Sequence, residues 1–247
     1  MPPPLLPRQK TASQIAAIRE VQRATETAMD AVISYLASAK SPISEEAHKI
    51  IDTVLQKYNC ESPEGHIVAG GTQSAEPHYT GSGALAKGVP IVIDIYPRSK
   101  ATSYFADMSR TVCIGPAPEE LRKMYNTVLD AQKLAISMAK PKTLCSEIQK
   151  AVDNLFEDAG YVISGKGKEF SFAEGFVHGV GHGVGTNIHE APRIGRNSPD
   201  VLEEGDVITL EPGLYYNNLG GIRIEDMILI TANGSENLTK SPKQFEI

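Results

Sequence analysis

Residues 49–57 read KIIDTVLQK and residues 150–158 read KAVDNLFED. Both open on Lys, carry Asp at the fourth position and place apolar residues at the third, sixth and seventh, the spacing of one buried helical stripe. An Ala-Lys pair precedes each, Ala39-Lys40 and Ala139-Lys140, so the offset is about a hundred residues throughout. It suggests an internal duplication, with chance likeness between two amphipathic helices as the alternative on these residues alone.

The surroundings repeat as well. Thr11 to Lys40 carries Ile15, Ile18, Val21, Met29, Ile33 and Leu36 at roughly helical intervals with no Pro or Gly, which predicts one long helix. A second helix is expected from Ser44, as N-cap with Glu45 and Glu46 in its first turn, through IIDTVLQKY. Segments rich in β-branched residues at 66–70 (HIVAG), 89–96 (VPIVIDIY) and 102–114 (TSYFADMSRTVCI) read as strands. The pattern then restarts, with helices over Pro118 to Lys140 and Thr143 to Ala159, the latter closed by Gly160. FVHGVGHGVG, DVITLEPGLYY and GIRIEDMILIT follow with strand character. Each half is two helices plus strands, an α+β arrangement, with residues 1–10 as a proline-rich lead and 11–247 as a single domain.

Composition narrows the function. A chain of 247 residues with 41% hydrophobic and 22% charged residues is neither disordered nor fibrous. Lys plus Arg total 24 against 30 Asp plus Glu, a formal charge of −6 without a basic run, which speaks against nucleic acid or an anionic membrane and leaves a peptide or small molecule as partner. Cys60, Cys113 and Cys145 form no CxxC pair and read as buried thiols of a reducing compartment. The opening MPPPLLPRQK lacks the layout of a secretory leader, and no stretch approaches the ~18 apolar residues of a membrane span, so a cytoplasmic location is expected.

Two pairs of acids stand out. Asp94 and Asp107 flank the polar loop PRSKATS symmetrically, and Glu211 and Glu225 flank NNLGG in the same way, so each pair is expected to face across a hairpin. Directly opposed residues have Cβ atoms about 4.5–5.5 Å apart, where like charges repel unless neutralised. A divalent cation neutralises them. Solvated surface acids are the alternative, but PIVIDI, VITLEPG and GIRIEDMILI are apolar surroundings in which an unpaired carboxylate is costly. In HGVGHGVG, His178, Val180, His182 and Val184 alternate with glycines that permit close backbone approach, and His189 follows seven residues after His182. Four carboxylates with imidazole suit two divalent ions such as Mn²⁺, Co²⁺, Fe²⁺ or Zn²⁺. Competing motifs are weak: GYVISGKG has the outline of a phosphate loop but lacks the following Ser/Thr and comes after a helix, and neither HExxH nor GxSxG occurs.

The motifs IDIYPRSKATSYFADMSRT, VHGVGHGVGTNIHEAP, ITLEPGLY and GIRIED, in that order, resemble those of the pita-bread metallopeptidases, which include methionine aminopeptidases, Xaa-Pro aminopeptidases and prolidases. The resemblance covers nearly the whole chain after its first ten residues. It implies a pseudo-twofold duplicated α+β fold with a curved antiparallel sheet backed by helices. It also implies a dinuclear centre held by Asp94, Asp107, His182, Glu211 and Glu225, with Asp107 and Glu225 bridging, Asp94 on one ion, and His182 and Glu211 on the other. Glu211 matches the general base. His78, His178 and His189 match histidines that contact substrate and assist proton transfer, and Arg223 supports a ligating carboxylate or pairs with Asp226 or another acid.

Within that family His178 and Arg223 resemble the proline-directed branch more than the methionine aminopeptidases. The implied activity is removal of an N-terminal residue at Xaa-Pro bonds, by an aminopeptidase or a dipeptidase, with two divalent ions, manganese foremost. Methionine aminopeptidase is the runner-up, and a non-catalytic peptide-binding member is a third reading. A homodimer is left open. Two departures are visible: Tyr96 stands where the family pattern has Gly, and the loop before Asp107 is two residues longer. The extra N-terminal domain of most proline-directed relatives is not expected here.

Overall fold

Thr11 starts the first helix as its spacing predicts. In the computed structural model, which describes residues 8–164 and 174–247, Gln14 N donates to Thr11 Oγ1 at 3.4 Å while Thr11 N donates to Gln14 Oε1 at 2.7 Å. The helix α1 (Ala12–Ser38) buries Ile18, Val21, Met29, Val32 and Leu36. In α2 (Ser44–Lys57) the expectation for Ser44 is corrected: Ile43 occupies the cap position, and the buried Ser44 hydroxyl instead donates to Val68 O at 2.8 Å. A hydroxyl taken out of water needs a partner, and the neighbouring sheet supplies one.

The chain continues through β1 (Cys60–Glu61), β2 (Ile67–Gly70), a 3₁₀ turn (Gly71–Ala75), β3 (Pro90–Ile95), β4 (Arg98–Ser99) and β5 (Met108–Cys113). The second half opens with α3 (Glu119–Met138) and α4 (Cys145–Asp158), and Gly160 beyond it takes φ +86° as a left-handed cap should. Then follow β6 (Gly181–Gly183), β7 (Glu190–Ile194), β8 (Val207–Leu210), β9 (Gly213–Tyr216), β10 (Gly220–Arg223), β11 (Asp226–Thr231) and β12 (Gly234–Asn237). The antiparallel order is β2-β3-β5 in the first half and β12-β11-β8-β6-β7 in the second, with β9-β10 and β1-β4 as two-stranded pairs. The lead through Pro7 lies outside the described residues, as does the GKG that ends GYVISGKG. Among the described residues no helix is long and apolar enough to cross a membrane.

Two cores form, one against each pair of helices, and strand residues of the second half such as Val207 and Met227 contribute to the first. Ile91, Ile93 and Ile95 of β3 pack with α1 and α2, whereas Ile208, Leu210, Ile228 and Ile230 pack with α3 and α4. The repeated motif explains the correspondence: Ile51 and Leu55 of α2, and Val152 and Phe156 of α4, occupy equivalent positions and are all buried. Because strand side chains alternate, Val92 and Asp94 point away from α1 and α2. That opposite face carries the site.

The register of the first hairpin differs from the symmetric expectation. Asp94 pairs with Ser109 and Ile95 with Met108, and the same registration continues to Arg98 opposite Phe105. Asp107 therefore sits opposite Tyr96, diagonal to Asp94. The turn closes between Ser99 and Tyr104, with Ser103 in a left-handed conformation at φ +63°, which puts its apex later than the midpoint between the aspartates. A two-residue shift preserves side-chain parity, so both aspartates still share one face. The second hairpin keeps the expected register: Leu210 pairs with Asp226 and Gly213 with Arg223, leaving Glu211 and Glu225 facing where Pro212 interrupts the ladder.

The histidine-glycine stretch is not one uninterrupted strand. Its ladder is limited to Gly181–Gly183 and shifts register between His182 and Gly183, with Val180 in the second core and Val184 in the first. Close approach is nonetheless the reason for its glycines. A Cβ at Gly181 would stand 2.0 Å from Thr209 O, and one at Gly183 would stand 2.2 Å from Ala191 O.

Candidate metal centre

Asp94 lies on β3, Asp107 immediately before β5, His182 on β6, Glu211 immediately after β8, and Glu225 immediately before β11. Asp107, His182 and Glu225 offer ligand atoms that all lie within 4.8 Å of one another. His182 Nε2 is 3.4 Å from Glu211 Oε1 and 3.7 Å from Asp107 Oδ2. Its Nδ1 donates to Gly183 O at 3.1 Å, which assigns the proton to Nδ1 and leaves the Nε2 lone pair aimed at the acids.

This collection of charges is undersatisfied. Asp94 Oδ1 and Asp107 Oδ1 are buried without a hydrogen-bond partner. Burial, reinforced by Glu225 and other acids nearby, raises Asp107 well above the carboxylate range, and burial with Glu225 does the same to Glu211. Glu225 is pushed up to about 8 by burial and by Asp94. Burial also lowers His182 to about 4, which keeps its ring neutral and able to ligate. Four neighbouring acids, two bare buried oxygens and a neutral imidazole with a fixed tautomer are donors of the kind divalent cations take, and the residues fit such ions.

One cation braces the acids from the protein side. The buried Arg223 donates from Nη2 to Asp94 Oδ2 at 2.8 Å, from Nε to Ser109 Oγ at 2.9 Å, and from Nη1 to Tyr215 OH at 2.9 Å and Pro77 O at 3.1 Å. Ser109 Oγ in turn donates to Glu225 Oε2 at 2.9 Å. Arg223 thus supports Asp94 directly and Glu225 through one hydroxyl, whereas Asp226 pairs with Arg110. Tyr215 OH meets His178 Nε2 at 2.8 Å, and His178 Nδ1 donates to Gly179 O at 2.8 Å. Burial, with Arg223 adding to it, lowers His178 to about 3.

Sequence reasoning did not single out Tyr215, Ser109 or Arg110. The hairpin register carries the signal for Tyr215, which lies diagonally across β9-β10 from Arg223 on the same face. Ser109 is directly opposite Asp94, a position that the shifted turn concealed.

His189 stands with its ring centroid 4.4 Å from that of His182, edge to face. It lines a cavity of about 380 Å³ with Glu64, Arg98, Phe105 and Asn187. His78 is exposed beside Pro77, on the side of the site that holds His178 and His189. A second cleft of about 600 Å³, lined by Gln73, Pro77, Tyr79, Val177 and Tyr215, opens on that side. Ile67, Ala69 and Val92, with Tyr96 packed against them, form a small apolar wall on the face of β3 that carries Asp94.

The model of "Metallopeptidase family M24" matches residues 16–232. A Xaa-Pro dipeptidase of Pyrococcus furiosus is 35% identical over 238 residues, which are 96% of this chain and 64% of that protein. The solved prolidase from Pyrococcus furiosus superposes with a TM-score of 0.85 at 34% identity, covering 95% of this chain and 66% of that one. The X-Pro aminopeptidase from Thermotoga maritima gives 0.85 at 29% identity over 97% of this chain and 65% of that one. The chain therefore spans slightly under two thirds of the length of these relatives, and its described residues take the pita-bread fold that both solved structures share. With its duplicated α+β halves meeting at these acids, the chain belongs to metallopeptidase family M24.

Proposed function

We propose that residues 11–247 form a catalytic unit that hydrolyses the N-terminal peptide bond of Xaa-Pro peptides at a dinuclear centre held by Asp94, Asp107, His182, Glu211 and Glu225. The observation that carries the reading is the Asp94–Arg223–Tyr215–His178 chain of hydrogen bonds behind the acids, at two positions that separate the proline-directed branch from methionine aminopeptidases. The named relatives, a Xaa-Pro dipeptidase and an X-Pro aminopeptidase, agree with it.

Two divalent ions, manganese foremost with cobalt, zinc and iron as alternatives, supply Lewis-acid polarisation of the carbonyl and a nucleophilic water at neutral pH. Glu211, which keeps about a fifth of its side chain exposed, takes one proton from the attacking water. The water oxygen bonds to the carbonyl carbon, the C–N bond breaks, and the proton passes to the departing proline nitrogen. A Xaa-Pro amide has no N–H, so its nitrogen must be protonated as it leaves. His189 suits that donation because it borders both His182 and an open cavity. His178 acts instead by holding Tyr215, since both of its ring nitrogens are engaged. Exposed His78 contacts the substrate from the other side, and the apolar wall of Ile67, Ala69, Val92 and Tyr96 offers a surface for an apolar side chain or the pyrrolidine ring. The site is read as that of a cytoplasmic enzyme.

The test is residue release from Xaa-Pro dipeptides, Xaa-Pro-Xaa tripeptides and Met-Ala-Xaa peptides, with Mn²⁺ or Co²⁺ and with chelator. Metal-dependent release confined to Xaa-Pro members is expected, and the two lengths divide dipeptidase from aminopeptidase. Release of Met alone would overturn the proline assignment. No turnover with any metal would favour a peptide-binding role.

A further inference from the structure

Among the described residues Arg110 is the largest fully buried side chain, and nothing in the reaction outlined above uses it. It projects from β5 on the face opposite Ser109 and Thr111, behind the acids. All five of its N–H groups have work. Nε donates to Pro242 O at 3.1 Å, and Nη2 donates to Asp226 Oδ1 and to Ser241 O, both at 2.9 Å. Nη1 spans two carbonyls, Ser109 O at 2.9 Å and Glu225 O at 2.6 Å.

Those two carbonyls belong to opposite halves of the duplication, and β5 and β11 lie in different sheets. No sheet ladder fixes their separation. The bonds across the seam include Glu225 N to Ser109 O at 3.1 Å, the Thr111 hydroxyl bonded to both Arg223 N and Arg223 O at 2.9 Å, the Arg223 guanidinium on Ser109 Oγ and Asp94, and the Arg110 fork. In front of the seam Ser109 Oγ bonds Glu225 Oε2, and Asp107 stands two residues before Ser109 on the same face. The distance between the Asp107 and Glu225 carboxylates is therefore set by the Ser109–Glu225 backbone contact. Mutual repulsion of the acids pushes that contact apart.

We propose that Arg110 is a positioning residue for the metal centre: by clamping the Ser109 and Glu225 carbonyls from behind, it holds the Asp107–Glu225 pair at ligating distance across the two halves. The inference rests on the metal-site reading above, but its test reads metal binding and coordination, not peptide turnover, so the two fail separately. Planar guanidinium suits the task because its five N–H groups meet two seam carbonyls, a carboxylate and two tail carbonyls at once, where an ammonium has only three donors. The tail carbonyls of Ser241 and Pro242 complete the fork, so the C-terminal segment also supports the site from behind.

The experiment is titration of the metal-free protein with Mn²⁺ by calorimetry, and the visible absorption spectrum of the Co²⁺-loaded protein, for the parent, Arg110→Met, Arg110→Lys and Asp226→Asn. Arg110→Met is expected to bind Mn²⁺ about 10–100-fold more weakly, the usual cost of losing an outer support of metal ligands. Its Co²⁺ spectrum should show altered coordination. Arg110→Lys keeps the buried charge, and weakened binding with the same spectral change is expected in it. Asp226→Asn leaves the Nη1 clamp in place and should melt earlier while binding Mn²⁺ as the parent does. Parent-like affinity and spectrum in folded Arg110→Lys would overturn the proposal, and so would an equal loss of affinity in Asp226→Asn, which would make the effect one of general stability. Should Arg110→Met fail to fold, the Lys variant decides.

Discussion

Arg223, from the second half of the duplication, donates to Asp94 of the first half at 2.8 Å, with 3% and 13% of their side chains exposed. Among the described residues it is the one buried Arg or Lys side chain paired with any of the four acids, so removing it leaves charge uncompensated. Arg223→Gln is expected to cost about 3–5 kcal/mol of stability, as breaking a buried pair does. Thermal unfolding of the metal-loaded protein checks this, and an unchanged melting temperature would refute it.

Tyr215 offers a narrower probe. Its hydroxyl accepts from Arg223 and donates to His178 Nε2, so Tyr215→Phe strands a buried donor and a buried acceptor at once. The expected cost is about 1–3 kcal/mol for each group left unsatisfied. We expect kcat/KM on a Xaa-Pro substrate to fall about tenfold or more, as Asp94 loses part of its support. Steady-state kinetics beside a melt separate the two effects.

His182→Ala tests the centre itself. His182 approaches both Glu211 and Asp107, so its loss should reduce Mn²⁺ bound per chain after dialysis while the metal-free protein remains folded. Metal analysis together with circular dichroism reads the outcome. Full stoichiometry in the variant would remove His182 from the ligand set.

The metal-free protein should become less stable as pH rises. Glu225 has its pKa raised from 4.5 to about 8, and Asp107 and Glu211 are raised too, so the folded state holds more protons than the unfolded state between those limits. Stability then falls with pH from about 4.5 through about 8. His178 and His182 act in the opposite sense: lowered from 6.5 to about 3 and about 4, they remove stability as pH drops below about 6.5. The two windows overlap between about 4.5 and 6.5, where the three carboxyls outweigh the two imidazoles, so calorimetry in chelator should find the maximum near pH 4.5. Each kcal/mol lost lowers the melting temperature by about 2–4 °C at this chain length. Added Mn²⁺ should abolish the alkaline decline, and a flat alkaline limb without metal would contradict the account.

Gly181→Ala should destabilise the protein without touching a ligand. The new Cβ would fall 2.0 Å from Thr209 O, so β6 must separate from β8 and carry His182 with it. A loss of about 1–3 kcal/mol is expected from such overpacking, accompanied by weaker Mn²⁺ binding. Chemical denaturation and metal titration measure the two parts.

Much of this protein can be read in its residues in order. Helix spacing and the hundred-residue repeat specify two α+β halves, because buried stripes at Ile51 and Leu55 and at Val152 and Phe156 require the same kind of sheet to cover them. The acids were legible as a group because carboxylates among apolar neighbours need an explanation, and Glu211 and Glu225 were legible as a facing pair because their hairpin is symmetric about its turn.

Other features depended on the packing. A left-handed Ser103 moved the first turn and made Asp94 and Asp107 diagonal, a local backbone choice that the residue count alone does not reveal. Residues brought together from distant segments were hidden altogether: Ser109 beneath Glu225, Tyr215 between Arg223 and His178, and Arg110 bridging two halves and the C-terminal tail. Sequence by itself determined which elements form and which side chains carry charge, because periodicity and burial are local. Only the tertiary structure decided which buried donor meets which acceptor, because that depends on how two independently built sheets are set against each other.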